Sequence, residues 1–414
     1  MTMPDEEGAR TYLDIAAALD RHLPGTLAAV RREPSAPRSA AALVREAGRL
    51  LGALPGGLPV ERAGFLIGQV RALEATARRL AGQRLGFVDE ALATFDLRIG
   101  QGDEDDYLAA HRELGALLPG SAPLADRLGA YRAREPVPPG RLGVAVRALS
   151  DALRERTSAV VGLPAGETVG YRLVGNAPWG ALHHYAGGYR SVVTINVDGG
   201  VTPARLARLV AHEVYPGHHT ERCSKEAGLV ARGWVEHGAV LTGSPQSALA
   251  EGAAEIGLRA VVGPGWGRWL QDVLASVGVA CDGALAEQVT VATARLAPVR
   301  LDAALMAHSQ AASSADVGAH LRRWALLDER RVAQVLQFLR HPLWRAYTAA
   351  SVAGPALVSR WWDARPGAER LRRLLNEPLT PSDLRHELTA ERVTPVAEVA
   401  TNGNRTATSG RPLC

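Results

Sequence analysis

The chain has 414 residues, with 47 basic against 43 acidic side chains and 47% hydrophobic residues. That is too long for one small module, and too evenly mixed for a disordered chain or a membrane bundle. The net charge of +4 is scattered and forms no basic run of the kind a nucleic-acid groove binder presents, so no nucleic-acid partner is expected despite a pI near 9.2.

Lys225 is the only lysine, so nearly all positive charge is arginine. Cys223, Cys281 and Cys414 are an odd number at wide spacings, with no CxxC pair, which points to a reducing compartment. The opening MTMPDEEGARTYLDIAAALD lacks the basic flank and apolar core of a signal peptide, and no window approaches about 18 uninterrupted apolar residues. A cytoplasmic protein with no membrane partner is expected.

From Thr11 to about Thr157 the pattern predicts successive amphipathic helices, broken at Pro34 to Pro37, Pro55 to Pro59, Pro119 to Pro123 and Pro136 to Pro139. Over Gly64 to Leu80, Phe65, Leu66, Val70, Leu73, Ala77 and Leu80 recur at three- and four-residue steps, as a helix packed in a bundle requires. The acidic run Asp103 to Asp106 reads as a helix N-terminus; a calcium loop would need alternating oxygen ligands that are missing. Between Gly162 and Asp198 the texture changes, and the β-branched run in GYRSVVTINVDGG predicts a strand in a small sheet. Thr202 and Pro203 then form an N-cap and first-turn pair, followed by a buried stripe of Leu206, Leu209, Val210 and Val214. Helical patterns return from about Ser247 to Arg372, including Leu326 to Leu339. The expected organisation is an N-terminal helical region over 1–160, a site-bearing region over 161–392 continuous with it, and a flexible tail over 393–414.

Five of the 12 histidines fall between His183 and His219, densest in His212, Glu213, Val214, Tyr215, Pro216, Gly217, His218, His219. Three histidines and a glutamate at the end of one amphipathic helix point to a metal site. The zinc protease helix carries HExxH because an i to i+4 step puts two imidazoles on one face. Here position i+4 is Pro216, which breaks the helix. In a continuous helix His218 would point about 120° away from His212, so the two share a metal only if Pro216 and Gly217 fold the chain back. The best third ligand is Glu251, in the small-residue run SALAEGAAEIGLRAVV, where an unpaired carboxylate is costly to bury. Glu255, one turn later, is the alternative, either as ligand or as acceptor for a liganding histidine. The plainer reading is a carboxylate pair answered by arginines such as Arg259.

HEVYPGHHTE resembles the HExxPGHH signature of the bacterial proteins grouped as domain of unknown function 885, relatives of zinc metallopeptidases. NAPWGALHHYAGGYRSVVTINVD resembles that family's strand-rich lead-in, SPQSALAEGAAEIG the segment carrying its EGWA motif, and RAYTAASVAGPALV its C-terminal tyrosine and glycine segment. LPGSAPLADRLGAYR and GLPAGETVGYRLV resemble its helical N-terminal part. The likeness spans most of residues 45 to 375.

The resemblance implies a mainly α, large helical zincin-like fold with a small β-sheet beside the metal-binding helix. It implies His212, His218 and Glu251 as zinc ligands, Glu213 as general base, and His219 as a substrate or neighbouring contact. Ala253 stands where the family usually has tryptophan, which bears on pocket shape.

The implied activity is hydrolysis of amide bonds in short peptides or small acylated amino acids by a metal-activated water. For that chemistry the strand region Arg190 to Asp198 would supply an edge for extended substrate, Arg190 would pair with a substrate carboxylate, and Tyr185 or Tyr347 would donate to the oxyanion. Two other classes compete: a metal-dependent lyase or cyclase on a small amino-acid-like substrate, and a helical binding protein without turnover.

Overall fold

A computed structural model describes residues 4–29, 36–54, 58–134, 136–177, 179–198, 200–342 and 344–393. The predicted tail, from residue 394 on, lies outside the described residues, as do parts of the breaks at Pro34 to Pro37 and Pro55 to Pro59.

The fold is mainly helical with a small sheet. Caps foreseen from sequence form: Asp103 accepts from the Asp105 N–H at the start of the helix Glu104–Leu117, and Thr202 accepts from the Arg205 N–H at the start of Pro203–Glu213, with Pro203 in the first turn. The stripe in the helix Val60–Leu80 is buried at Phe65, Leu66, Val70, Leu73 and Ala77. One expectation fails at Leu326. The helix Ser314–Ala325 ends there in a left-handed residue (φ 53°), and Asp328 caps a separate helix, Glu329–Arg340, so Leu326 to Leu339 is a joint followed by a helix.

Five strands occur among the described residues: β1 (Leu27–Ala29), β2 (Thr168–Val174), β3 (Ala181–Gly187), β4 (Arg190–Asn196) and β5 (Ala239–Leu241). In the three-stranded sheet β4 is central, parallel to β2 and antiparallel to β3. Its buried Ser191, Val193 and Ile195 alternate with part-exposed residues, the period-2 pattern of a strand with one face on the core. β1 pairs antiparallel with β5; three-residue strands leave no periodicity to read.

The buried apolar side chains fall into two clusters. One joins Tyr12 through Ala77 with Ala239 and Leu241, and the other runs from Phe87 to Leu384. Packing therefore divides the chain near residue 80, whereas the texture of the sequence changes near 160. The helix Pro139–Val161 belongs to the larger cluster, with the helices that carry the site.

Candidate metal centre

The helix Pro203–Glu213 stops because Val214 leaves helical geometry (φ −125°, ψ −84°) and Pro216, after a cis Tyr215–Pro216 peptide, has no N–H to continue the ladder. Gly217 turns the chain back so tightly that a Cβ there would lie 1.8 Å from the His212 carbonyl oxygen, so only glycine fits. A second helix, His218–Lys225, starts at once. The fold-back sets the His212 and His218 rings 4.7 Å apart, edge to face at 85°.

Glu251 comes from the helix Pro245–Val262, started by a capping box of Ser244 and Ser247. Its carboxylate lies 3.7 Å from His212 Nε2 and 3.4 Å from His218 Nε2. Ligand atoms of His212, His218 and Glu251 all lie within 4.8 Å of one another, the only such group of three among the described residues. Tyr347, at the head of the helix Tyr347–Ala364, donates its hydroxyl to Glu251 Oε1 at 2.9 Å. The two helices cross closely enough for that bond because Gly252 meets Val358, where a Cβ would come within 2.3 Å of Cγ2.

Burial alone would push the Glu251 carboxyl up, but the hydrogen bond from His218, the charges of His212 and His218 and the Tyr347 hydroxyl bring it down to about 2. Burial likewise opposes a charged His218, yet the hydrogen bond and charge of Glu251, with Glu213 and Glu221 farther off, raise it to about 9. Glu213 ends the first helix, and its charge reaches His218 and Tyr347. The donor chemistry fits a divalent transition ion: two imidazole nitrogens and one carboxylate, converging from three helices, at a spot that keeps partial exposure.

His219 has the opposite placement. It is 0% exposed, with Nε2 2.8 Å from Glu167 Oε2 and Nδ1 2.8 Å from Ser191 Oγ, so it does not line an open substrate path as expected. Glu167 also accepts from Tyr215 Oη at 2.6 Å and Arg154 Nε at 2.5 Å. Burial works against this carboxylate, but bonds from His219, Tyr215 and Arg154 hold it down near 2. An ionised Glu167 can only accept, so His219 Nε2 donates. In a neutral His219 ring, Nδ1 then accepts from the Ser191 hydroxyl, whose oxygen takes His183 Nε2–H at 2.8 Å. The His183 ring lies 6.1 Å from that of His218, and the bonded chain thus runs from the buried Glu167 carboxylate to the edge of the triad.

Three further expectations change. Glu255 pairs with Arg208 at 2.5 Å on the surface, and Arg259 pairs with Asp363, so neither joins the site. One helical turn separates Glu255 from Glu251, enough to carry it past the triad. The Tyr185 hydroxyl is committed to Glu226 Oε2 at 2.6 Å. Arg190 sits at the β3–β4 turn against the Gly187 carbonyl, and β4 is bonded on both sides, so the free edge beside the metal helices is β3. Sequence reading missed Glu167, Ser191, His183 and Tyr215; the crowding of histidines before the motif was the one available signal.

No family model and no curated protein matches the chain. Solved structures do. A presumed lipoprotein from Colwellia psychrerythraea matches at 14% identity and TM-score 0.52, covering 86% of this chain and 71% of that one. A presumed lipoprotein of unknown function from Shewanella oneidensis matches at 12% identity and TM-score 0.50, covering 84% and 72%. At such identities the likeness concerns the fold alone. Among the described residues no helix is long and apolar enough to cross a membrane.

Proposed function

We propose that this chain is a zinc-dependent hydrolase of amide bonds in short peptides or small acylated amino acids, with a zincin-like arrangement of its helices. The observation that carries the reading is the convergence of His212, His218 and Glu251 within 4.8 Å, with Glu213 and Tyr347 beside them. The resemblance of HEVYPGHHTE to the HExxPGHH signature supports the same ligand set. Among the described residues no disulfide forms, Cys223 and Cys281 included, in keeping with a cytoplasmic setting.

His212, His218 and Glu251 would hold the ion, which when bound acidifies a water and polarises a carbonyl. Glu213 takes the proton from the attacking water at its carboxylate and returns it to the leaving nitrogen. Tyr347 Oη–H, tied to Glu251 Oε1, is placed to turn toward the oxyanion as charge develops there. The edge of β3 offers main-chain groups to an extended substrate beside the two metal helices. Elemental analysis of the purified chain, with turnover of dipeptides and acylated amino acids by wild type and Glu213→Gln, tests the reading. A chain without bound transition metal, or a Glu213→Gln variant as active as wild type, overturns it.

A further inference from the structure

Five arginines that are far apart in sequence meet beside the metal centre. Arg205 and Arg208 stand on the helix Pro203–Glu213, Arg300 on Val299–His308, Arg331 on Glu329–Arg340 and Arg132 on Leu124–Arg134. The charge of Arg331 acts on Arg132, Arg205 and Arg300, and that of Arg208 acts on Arg300. Two acids pair with the group: Glu255 with Arg208 at 2.5 Å, and Asp328 with Arg331 at 3.7 Å. No ion pair or hydrogen bond joins the guanidinium groups of Arg132, Arg205 and Arg300 to any described residue.

Elsewhere on the surface arginines are answered one by one, Arg295 by Glu113, Arg322 by Glu329 and Arg259 by Asp363. Here positive charge is left over, and gathered like charges work against the free fold. Crowding by the surrounding protein comes first and like charge second in lowering Arg132, to about 10, and in lowering Arg205 and Arg300. All three still carry their charge at neutral pH, so the excess persists under working conditions. Bound negative charge would relieve it.

The cluster is in line with the metal centre. Arg205, Arg208 and His212 are spaced i, i+3 and i+7, so they share one face of their helix. Glu251 and Glu255 are one turn apart on the facing helix. Successive rungs therefore join the two helices, His212 to Glu251 at 3.7 Å and Arg208 to Glu255 at 2.5 Å one turn farther out. Arg205 extends the line to the chain entering β3, where a Cβ on Gly180 would lie 3.2 Å from its Nη2. From His212 to Arg205 is about 10 Å along the helix axis, the length of roughly three residues of extended chain.

We propose that Arg205, Arg208, Arg300, Arg331 and Arg132 bind the acidic side chains of a short peptide whose reacting amide lies at the metal centre, so that the chain selects substrates with carboxylates about two or three residues from that bond. The unpaired Arg205 and Arg300 carry the preference, since a guanidinium fork takes a carboxylate through two parallel bonds. The substrate class rests on the metal triad being the reacting centre, but the charge preference can be read from binding alone.

Calorimetry on the zinc-loaded full chain carrying Glu213→Gln, which leaves the peptide intact, tests it. The probes are an end-blocked hexapeptide with a central alanine pair flanked on each side by two glutamates, and its counterpart with glutamines in their place. The acidic peptide should bind about tenfold or more tightly at low salt, an advantage that shrinks as salt is added. Adding Arg205→Gln and Arg300→Gln should abolish most of that preference, keep the zinc and melt no lower than the parent, because repulsion is relieved. Adding Arg10→Gln and Arg78→Gln, an equal loss of charge from exposed pairs with Glu6 and Glu74, should keep the preference. Equal binding of the two peptides overturns the proposal, as does a preference that survives without Arg205 and Arg300. So does an equal loss in the Arg10 and Arg78 variant, which would show attraction by net charge alone, or an earlier-melting Arg205 and Arg300 variant, which would assign the arginines to the fold. Tighter binding of a single-stranded oligonucleotide than of the acidic peptide also overturns it, making the cluster a phosphate-backbone site. Failure of the hydrolase reading would appear elsewhere, as missing zinc or undiminished turnover in Glu213→Gln, with the charge preference in binding intact.

Discussion

His218 and His219 are neighbours in sequence and opposite in circumstance. His218 joins His212 and Glu251 at a part-exposed spot where three ligand atoms converge. His219 is sealed in the interior, with both ring nitrogens engaged by Glu167 and Ser191. Side chains one residue apart on a helix point about 100° apart, so the first residue after the Pro-Gly turn looks to the site and the second to the core. An identical side chain thus faces a part-exposed cluster or a sealed core according to what its helix packs against, and substitutions can test whether the two roles differ as proposed.

The largest effect is expected at the triad. His218→Ala and Glu251→Gln should leave the purified chain with less than about a tenth of its zinc, since two protein ligands do not make a closed site; plasma emission spectroscopy reads this directly. Next, Glu213→Gln should keep the metal and lose turnover by about 10²–10⁴-fold, because an amide cannot accept the proton. Together these would mark the open side of the comparison as chemical.

The buried side should fail differently. His219→Ala should retain zinc but lose about 3 kcal/mol of stability in urea, because it strips a buried carboxylate of its main partner. A His219→Ala protein of normal stability that lacks metal would reverse the two roles. The Glu167 carboxyl is lowered in the fold from 4.5 to about 2, so its contribution is present above about pH 4.5 and is lost as pH falls toward 2. Glu167→Gln should flatten that part of the stability profile, measured by urea midpoints between pH 5 and about 2. The smallest effect belongs to Glu255→Gln. Its exposed pair with Arg208 is worth at most about 1 kcal/mol, and zinc content should not move.

The two histidines of the triad were legible because they sit close together in the chain and Pro216 with Gly217 announces the turn by backbone restriction alone, whereas Glu251, on a later helix, stood out as a lone carboxylate in a small-residue run that is costly to bury. Helix caps such as Asp103 and Thr202 were legible for the same local reason. The Glu167 anchor was not, since one acid in a glycine-rich lead-in looks like any loop residue until β2 and the His219 helix meet over it. Arg190 and Tyr185 misled because their positions beside the motif said nothing of strand order: with β4 in the middle of its sheet, the free edge passed to β3. Leu326 misled because apolar periodicity runs unbroken through a residue that the backbone turns left-handed.

The pairing of β1 with β5 has a consequence for how the chain is made. Thr242 Oγ1 reaches the Gly25 carbonyl across 217 residues, and Leu27 faces Leu241 in the same ribbon. A ribosome adding about 5–20 residues per second needs roughly 10 to 40 seconds to deliver the second strand after the first. Through that interval Leu27 and the helices around it lack the cover of Ala239 and Leu241, and the early segment offers a sticky surface to chaperones and to other nascent chains. Only when the stretch just ahead of Glu251 emerges does the ribbon close, so completion of the first core and the meeting of Glu251 with His212 and His218 fall within moments of each other.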